Sequence, residues 1–546
     1  MPDSDTNHND MTVSRVAQTT PTQPRRHSIV LRGLESTPSS RSFEGRFGRM
    51  FRNLPVFSSE DVLLEKLAAK MIQPEEEDKR PGADDDDENE QIPAGYTYLG
   101  QFIDHDITFD PISSLQRQND PEALLDFRTP RFDLDNLYGR GPDDQPYLYS
   151  DGIHLQLGPL LDTDSRFAGP DLPRGPNGRA LIGDPRNDEN VIISQLQSVF
   201  LRFHNKMVDR VATLEPPLKA DDLLKEAQRR VRWHYQWTVV HDFLPRILGG
   251  KDISKGESMI NNILRKKEYV SGVDGSGKNV IASVIDPQLL FYGWRNDPFI
   301  PVEFSVAAYR FGHSMIRPSY FFNDIFRNEK NPPFGRVLIF KGDVASLESL
   351  NGFRPLPRQW GFQWKYFFEM GEDSARPEET TFKLPQHSYK IDTELVRPLS
   401  MLPASVAHNP RSLAERNLKR GKALGIPSGQ SVARAMAITP LTNKELGLDG
   451  DLAPLVNNTP LWFYILKEAE ILAGGHHLGP VGGRIVAEVL LGLLAGDPLS
   501  YLSVEPNWTP DQYLARDGKF GMPELIKFAG EAEVVTDDEA LFNHSN

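Results

Sequence analysis

The chain has 546 residues, with 76 acidic and 61 basic side chains, a formal charge of −15 and no cysteine. The missing thiols exclude a disulfide framework, a thiolate zinc site, an iron–sulfur cluster and a cysteine nucleophile. The acidic balance argues against nucleic-acid binding, which needs a basic face to displace counterions, and 39% apolar residues suit a large globular core better than a membrane protein.

The first forty residues are rich in Ser, Thr, Pro, Asn and Asp and lack an apolar signal-peptide core. Residues 1–42 are expected to be a disordered tail, because they bury too little apolar surface to offset the entropy of ordering. Residues 43–90 read as an amphipathic arm and acidic linker. Phe43, Phe47, Met50, Phe51 and Leu54 recur at helical spacing, 62–71 reads as a helix that docks on the main body, and PEEEDKRPGADDDDENE (74–90) is a solvated run. Further helical patterns cover 190–214, 220–248, 301–315, 413–424, 461–473 and 481–495. Period-two strands are few and short, and 43 prolines and 42 glycines imply many irregular loops. The longest apolar stretch, IVAEVLLGLLA (485–495), is too short to span a bilayer. The expectation is a mainly α chain in which residues 91–535 form a single large domain. No intersubunit disulfide is possible, and a monomer is expected.

Some strings imitate known sites. GVDGSGKN (272–279) approaches a phosphate-binding loop, but Asn279 stands where a hydroxyl is needed and no helix follows, so a surface turn is expected. His476 and His477 form a loop pair with no third ligand nearby. His204, His234 and His241 lie in aromatic helices and read as packed, hydrogen-bonded side chains, and Trp233, Tyr235 and Trp237 read as core.

The chemistry concentrates in YTYLGQFIDHDITFDP (96–111). On a helix, Gln101, Asp104 and His105 lie at i, i+3 and i+4 and share a face, with Asp106 pointing elsewhere. A histidine among carboxylates is a natural base at neutral pH, although the string taken alone also fits a helix turn with surface acids.

This string resembles the distal-histidine signature of the animal-type haem peroxidases, and other landmarks follow in order: GDPRNDEN (183–190), FLRFHNKM (200–207), VRWHYQWTVVHDFLPRILG (231–249), AAYRFGHSMI (307–316) and LAERNLKRGKALGIPSGQ (413–430). The resemblance covers about residues 90–500. It implies a helical haem-peroxidase domain that reduces hydrogen peroxide through an oxyferryl intermediate and oxidises halides, thiocyanate or small phenols. His105 would be the distal base, Arg186 the cation beside the peroxide, Gln101 a holder of distal water, and His313 the iron ligand backed by Asn417. Arg310 would sit near a haem propionate. Asp104 and Glu189 match the carboxylates that esterify the haem methyl groups, so haem b held through two esters is expected. The sulfonium link of myeloperoxidase needs a methionine where this chain has Asn190.

The resemblance also implies calcium. Asp106 and the loop TPRFDLDNLYG (129–139) would supply oxygens from Asp106, Thr129, the Arg131 carbonyl, Asp133 and Asp135; read alone, the loop reads better as an Asp-rich turn, and the match at Asp106 reverses that. Within the superfamily, a fatty-acid dioxygenase is the second reading. Its radical tyrosine stands three residues before the proximal histidine, where this chain has Arg310, with Tyr309 one position off. A haem-free scaffold is the third. Without a signal peptide, a cytoplasmic location or a non-classical export route is expected.

Overall fold

The computed structural model describes residues 47–74, 86–108, 129–161, 169–214, 216–273, 275–294, 298–327, 335–341, 349–371, 384–404, 406–407, 409–515 and 518–530. The expected tail, most of the acidic linker and the end of the 96–111 string (Phe109 and Asp110) lie outside these residues. Within them the chain is mainly α-helical, and its strands pair only in two-stranded ribbons.

The long helices follow the apolar periodicity closely: Val191–Ala212, Leu413–Ala423, Leu461–Ala473 and Pro480–Gly496. Ala220–Thr238 continues through a single π turn, Val239–Phe243, into Leu244–Gly249. The helix Gly95–Ile107 packs on Val191–Ala212, where Phe102 stacks on Phe200 with ring centroids 4.3 Å apart. Leu461–Ala473 and Pro480–Gly496 are buried along most of their length, as their nearly uniform apolar composition requires.

The N-terminal arm lies against the body. Phe47, Met50 and Phe51 are buried, and the helix Asp61–Lys70 packs beside Leu413–Ala423, with Asp61 paired to Lys422 and Glu65 to Lys419. The buried Glu303 carboxylate accepts the backbone N–H groups of Met50 and Phe51 at 3.0 and 3.1 Å.

Two expectations need correction. The 301–315 pattern is not one helix: a short helix, Val302–Ser305, is followed by a 3-10 segment, Ala308–His313. The Arg310 guanidinium donates to the Ser305 carbonyl at 3.0 Å, the group a continuing α-helix would offer to the Tyr309 N–H. His241 is exposed rather than buried, although it stacks on Trp237 at 3.8 Å and its Nε2 meets the Tyr501 hydroxyl at 3.2 Å, whereas His204 and His234 are fully buried and hydrogen-bonded.

GVDGSGKN forms the turn of a hairpin between Leu264–Val273 and Asn279–Pro287, with a strand on each side and no helix N-terminus. This ribbon is longer than the sequence suggested. It is largely exposed, so its residues lack the in–out alternation that marks a half-buried strand.

Candidate active site

The helix Gly95–Ile107 brings Gln101, Asp104 and His105 to the wall of one internal cavity, while Asp106 is buried on the other side. The helix ends as Thr108 Oγ1 donates to the Asp104 carbonyl and to Asp104 Oδ1, both at 3.0 Å. His105 is 5% exposed, and its Nδ1 meets Asn187 Oδ1 at 2.6 Å.

The residues before the next helix form a 3-10 turn, Pro185–Asp188, started by Asp184, whose carboxylate accepts the Arg186 N–H at 2.8 Å. The turn sends consecutive side chains in different directions. Arg186 reaches the cavity, pairs with buried Asp184 at 2.8 Å and donates to the carbonyls of His105 and Thr108, where the facing helix ends. Asn187 turns to His105. Asp188 receives both terminal nitrogens of Arg174, at 2.7 and 2.8 Å, and Arg174 also grips Asp171. Glu189 accepts from the Gln101 amide. Asn190 caps the helix Val191–Ala212 by accepting the Ile193 N–H at 2.9 Å.

The loop is packed from two sides. A Cβ at Gly183 would lie 2.5 Å from the Asn136 carbonyl oxygen, and one at Gly352 would lie 1.9 Å from that of Asp188, so neither position accepts a side chain without backbone movement.

On the opposite part of the chain, the 3-10 segment Ala308–His313 delivers His313 to the same cavity. Its Nδ1 meets the Asn417 side-chain amide at 2.8 Å, across 104 positions of sequence. Amide oxygen and nitrogen exchange places by a simple flip. With the oxygen facing the ring, Nδ1–H donates and the Nε2 lone pair stays available. Trp462 lies edge-on to His313 at 6.4 Å and donates its indole N–H to the Arg310 carbonyl.

The cavity is about 380 Å³, within the range of small-molecule and cofactor sites. Burial, reinforced by Arg186, holds the His105 imidazole down at about 4, and burial with Arg310 takes His313 to about 3. Both rings are therefore neutral near pH 7, the state in which an imidazole accepts a proton or ligates a metal. Burial raises Glu189 to about 7 against the pull of Arg186.

Haem fits this donor set. Two neutral imidazoles and an apolar wall that includes Phe243, Ile316, Leu402 and Leu413 line the cavity, and Arg310 adds a half-buried guanidinium with no carboxylate ion pair among the described residues. Arg310 and Arg416 suit the propionates of such a group, and Asp104 and Glu189 present carboxyls to the same space.

Behind the helix, Asp106, Asp133 and Asp135 bring carboxylate oxygens within 4.8 Å of one another, two of the three residues being buried. Thr129 Oγ1 donates to Asp133 Oδ2 at 2.6 Å. Arg131 is held nearby: its N–H meets the Thr129 carbonyl at 2.7 Å and its guanidinium pairs with Asp497. Three close carboxylates repel one another unless protons or a cation intervene, and a hard oxygen set of this kind fits calcium. His476 and His477 make separate bonds, to Asn89 and to the Leu478 carbonyl.

Sequence reading missed Asn187, Asp184 and the Arg174–Asp188 pair. Their motif, GDPRNDEN, was in view, but nothing in a string tells which of several adjacent polar side chains turns inward. It also placed Tyr309 out of register. The 3-10 geometry instead puts Tyr309 on the cavity wall, 8% exposed.

Residues 129–353 match the family described as animal haem peroxidase. The chain is 25% identical to dog thyroid peroxidase over 335 residues, 58% of this chain and 29% of that protein. It is 25% identical to Drosophila melanogaster peroxidasin over 334 residues, 58% and 18% respectively. It thus spans less than a third of either relative. Among solved structures, peroxidase A from Dictyostelium discoideum superposes with a TM-score of 0.50 at 15% identity, covering 92% of each chain. A fatty acid alpha-dioxygenase from Arabidopsis thaliana gives 0.54 at 15%, covering 90% of this chain and 77% of that one. Both share the fold. The stretch that matches the animal haem peroxidase family, residues 129–353, holds both the Arg186 loop and the His313 turn.

Proposed function

We propose that this chain binds haem between His105 and His313 and uses it to reduce hydrogen peroxide while oxidising small anionic or phenolic donors. The observation that carries this reading is one cavity lined by two neutral imidazoles from separate segments, with Arg186 on the side of His105 and Asn417 behind His313. Haem bound there supplies the iron at which the peroxide O–O bond is cleaved.

His105 Nε2 accepts a proton from the incoming peroxide and returns it to the departing oxygen, so that water leaves. Arg186, already oriented by Asp184, stabilises the negative charge that develops on that oxygen. His313 Nε2 is the metal-ligating atom, and Asn417 fixes its ring and tautomer. Arg310 neutralises a propionate. Gln101, bound to Glu189, shapes the wall beside His105.

Asp104 and Glu189 are the ester-forming carboxyls in this reading, and Asn190, occupied as a helix cap, offers no sulfur for a third link. Asp106, Asp133 and Asp135, with Thr129 and the Arg131 carbonyl, form the calcium site.

The test is peroxide-dependent oxidation of iodide or guaiacol by the haem-loaded protein. His105→Ala should lower the rate about 10²–10⁴-fold with haem still bound, and equal rates in parent and variant would sink the reading. Haem staining after denaturing electrophoresis, with Asp104→Ala plus Glu189→Ala as the control, tests the esters separately.

A second reading, fatty-acid oxygenation, is favoured by one observation. The Tyr309 hydroxyl is buried at the cavity with no hydrogen-bond partner among the described residues. Oxygen uptake with palmitate that is lost in Tyr309→Phe would support it over peroxidase turnover.

A further inference from the structure

The Nδ1 side of His105 leads away from the cavity into a chain of side-chain amides. Nδ1 meets Asn187 Oδ1 at 2.6 Å, Asn187 Nδ2 donates to Gln197 Oε1 at 2.7 Å, and Gln197 Nε2 reaches the Asn136 carbonyl at a long 3.4 Å. Asn187 and Gln197 are fully buried, so no bulk water competes for these groups.

The direction of this chain is not arbitrary. A backbone carbonyl only accepts, so the Gln197 amide must turn its NH2 toward Asn136 and its oxygen toward Asn187. Asn187 must then donate to Gln197 and present its own oxygen to His105. An imidazole nitrogen facing an amide oxygen must carry the proton. The anchor is rigid: the Asn136 carbonyl belongs to the short helix Asp135–Tyr138, against which Gly183 packs with no room for a side chain.

We propose that Asn187 and Gln197 are positioning residues that lock His105 in its Nδ1–H tautomer, leaving the Nε2 lone pair directed at the cavity. Gln197 acts by setting the flip of Asn187, and Asn187 acts by holding the ring. The proposal deepens the peroxidase reading and rests on it for its kinetic consequence. The tautomer itself is a property of the protein alone.

The first test uses the haem-free protein labelled with ¹⁵N-histidine. Long-range ¹H–¹⁵N correlation at pH 7 distinguishes the two tautomers, and His105→Gln identifies the signal. The parent should show Nδ1–H. Asn187→Leu, close in size but without an acceptor, should shift His105 toward Nε2–H, and Asn187→Asp, which keeps an acceptor oxygen, should retain Nδ1–H. Gln197→Leu acts at one remove and guards against a folding defect at Asn187; it should show a smaller shift in the same direction.

The second test follows the Soret band of the haem-loaded protein after peroxide is added. Asn187→Leu should react about 10–100-fold more slowly, and Asn187→Asp should recover most of that loss. Asn187→Leu and Gln197→Leu proteins that keep the Nδ1–H tautomer and react within about twofold of the parent would overturn the relay. If the loaded parent itself does not react with peroxide, the peroxidase reading fails, and the haem-free spectra still decide the relay.

Discussion

The two sides of the cavity are built differently. On the His105 side, the charged and amide groups are wired to one another: Gln101 to Glu189, His105 to Asn187, Arg186 to Asp184, and Asp188 to Arg174. All of this comes from one helix, one tight turn and their immediate support. On the His313 side, one imidazole meets one amide, Asn417, with Arg310 on the same 3-10 segment, and the short helix just before that segment is held by the N-terminal arm through Glu303. A reaction that moves protons needs a side with fixed donors and acceptors. A side that holds a metal needs one well-placed lone pair and little else. The asymmetry therefore separates chemistry from attachment, and it can be broken or sharpened by experiment.

The largest effect is expected where proton transfer is removed. In haem-loaded protein, His105→Ala should slow peroxide turnover about 10²–10⁴-fold and leave haem affinity within a few fold, as read by stopped-flow absorbance and haem titration. Asn417→Leu should do the reverse in kind: haem affinity should fall about 10–100-fold, measured by the same titration, with His105 unaffected in the haem-free spectra. If His105→Ala instead released the haem while Asn417→Leu changed only turnover, the division of labour would be wrong.

A third prediction concerns the support behind the His105 helix. Calcium at one hundred times its Kd should add about 2.7 kcal/mol of stability, and EGTA should remove it. Asp135→Asn should abolish the calcium-dependent rise in melting temperature while leaving the melting point in EGTA equal or higher, because one of three mutually repelling carboxylates is gone. Melting curves insensitive to calcium in the parent would remove the ion from this site.

The smallest effect is electrostatic and lies away from both sides. His154 bridges Asp151 at 2.7 Å and Asp209 at 3.2 Å. Burial opposes its charge, but the two carboxylates outweigh it and raise its pKa above the ordinary value. A raised histidine stabilises the fold fully below its unfolded pKa, and that contribution is lost as pH rises through the folded value. His154→Gln should therefore destabilise the protein more at pH 5.5 than at pH 9. The group is partly solvent-exposed, so the difference should stay below about 1 kcal/mol, measurable by urea titration at both values.

The contrast between the two sides also sets what could be read in advance. The i, i+3, i+4 spacing of Gln101, Asp104 and His105 placed them on one helix face, and that face does line the cavity. The helices beginning near residues 191, 413, 461 and 480 follow their apolar periodicity within a residue or two. His313 and Arg310 were named from a resemblance, but the helix expected around them is absent. The Arg310 side chain takes a carbonyl that the helix needed, and such competition is invisible to a periodicity count. Tyr309 reached the cavity for the same reason.

What the sequence by itself determined is local: the long helices and the shared face of 101, 104 and 105. Each depends on repeats or spacings that a helix converts directly into geometry. What only the tertiary structure decided is pairing at a distance: His313 with Asn417, the carboxylate cluster drawn from two separate segments, and the direction in which Asn187 points. Those choices follow from which buried polar group finds which partner once water is excluded. That competition is settled by the whole packed chain rather than by neighbours in sequence.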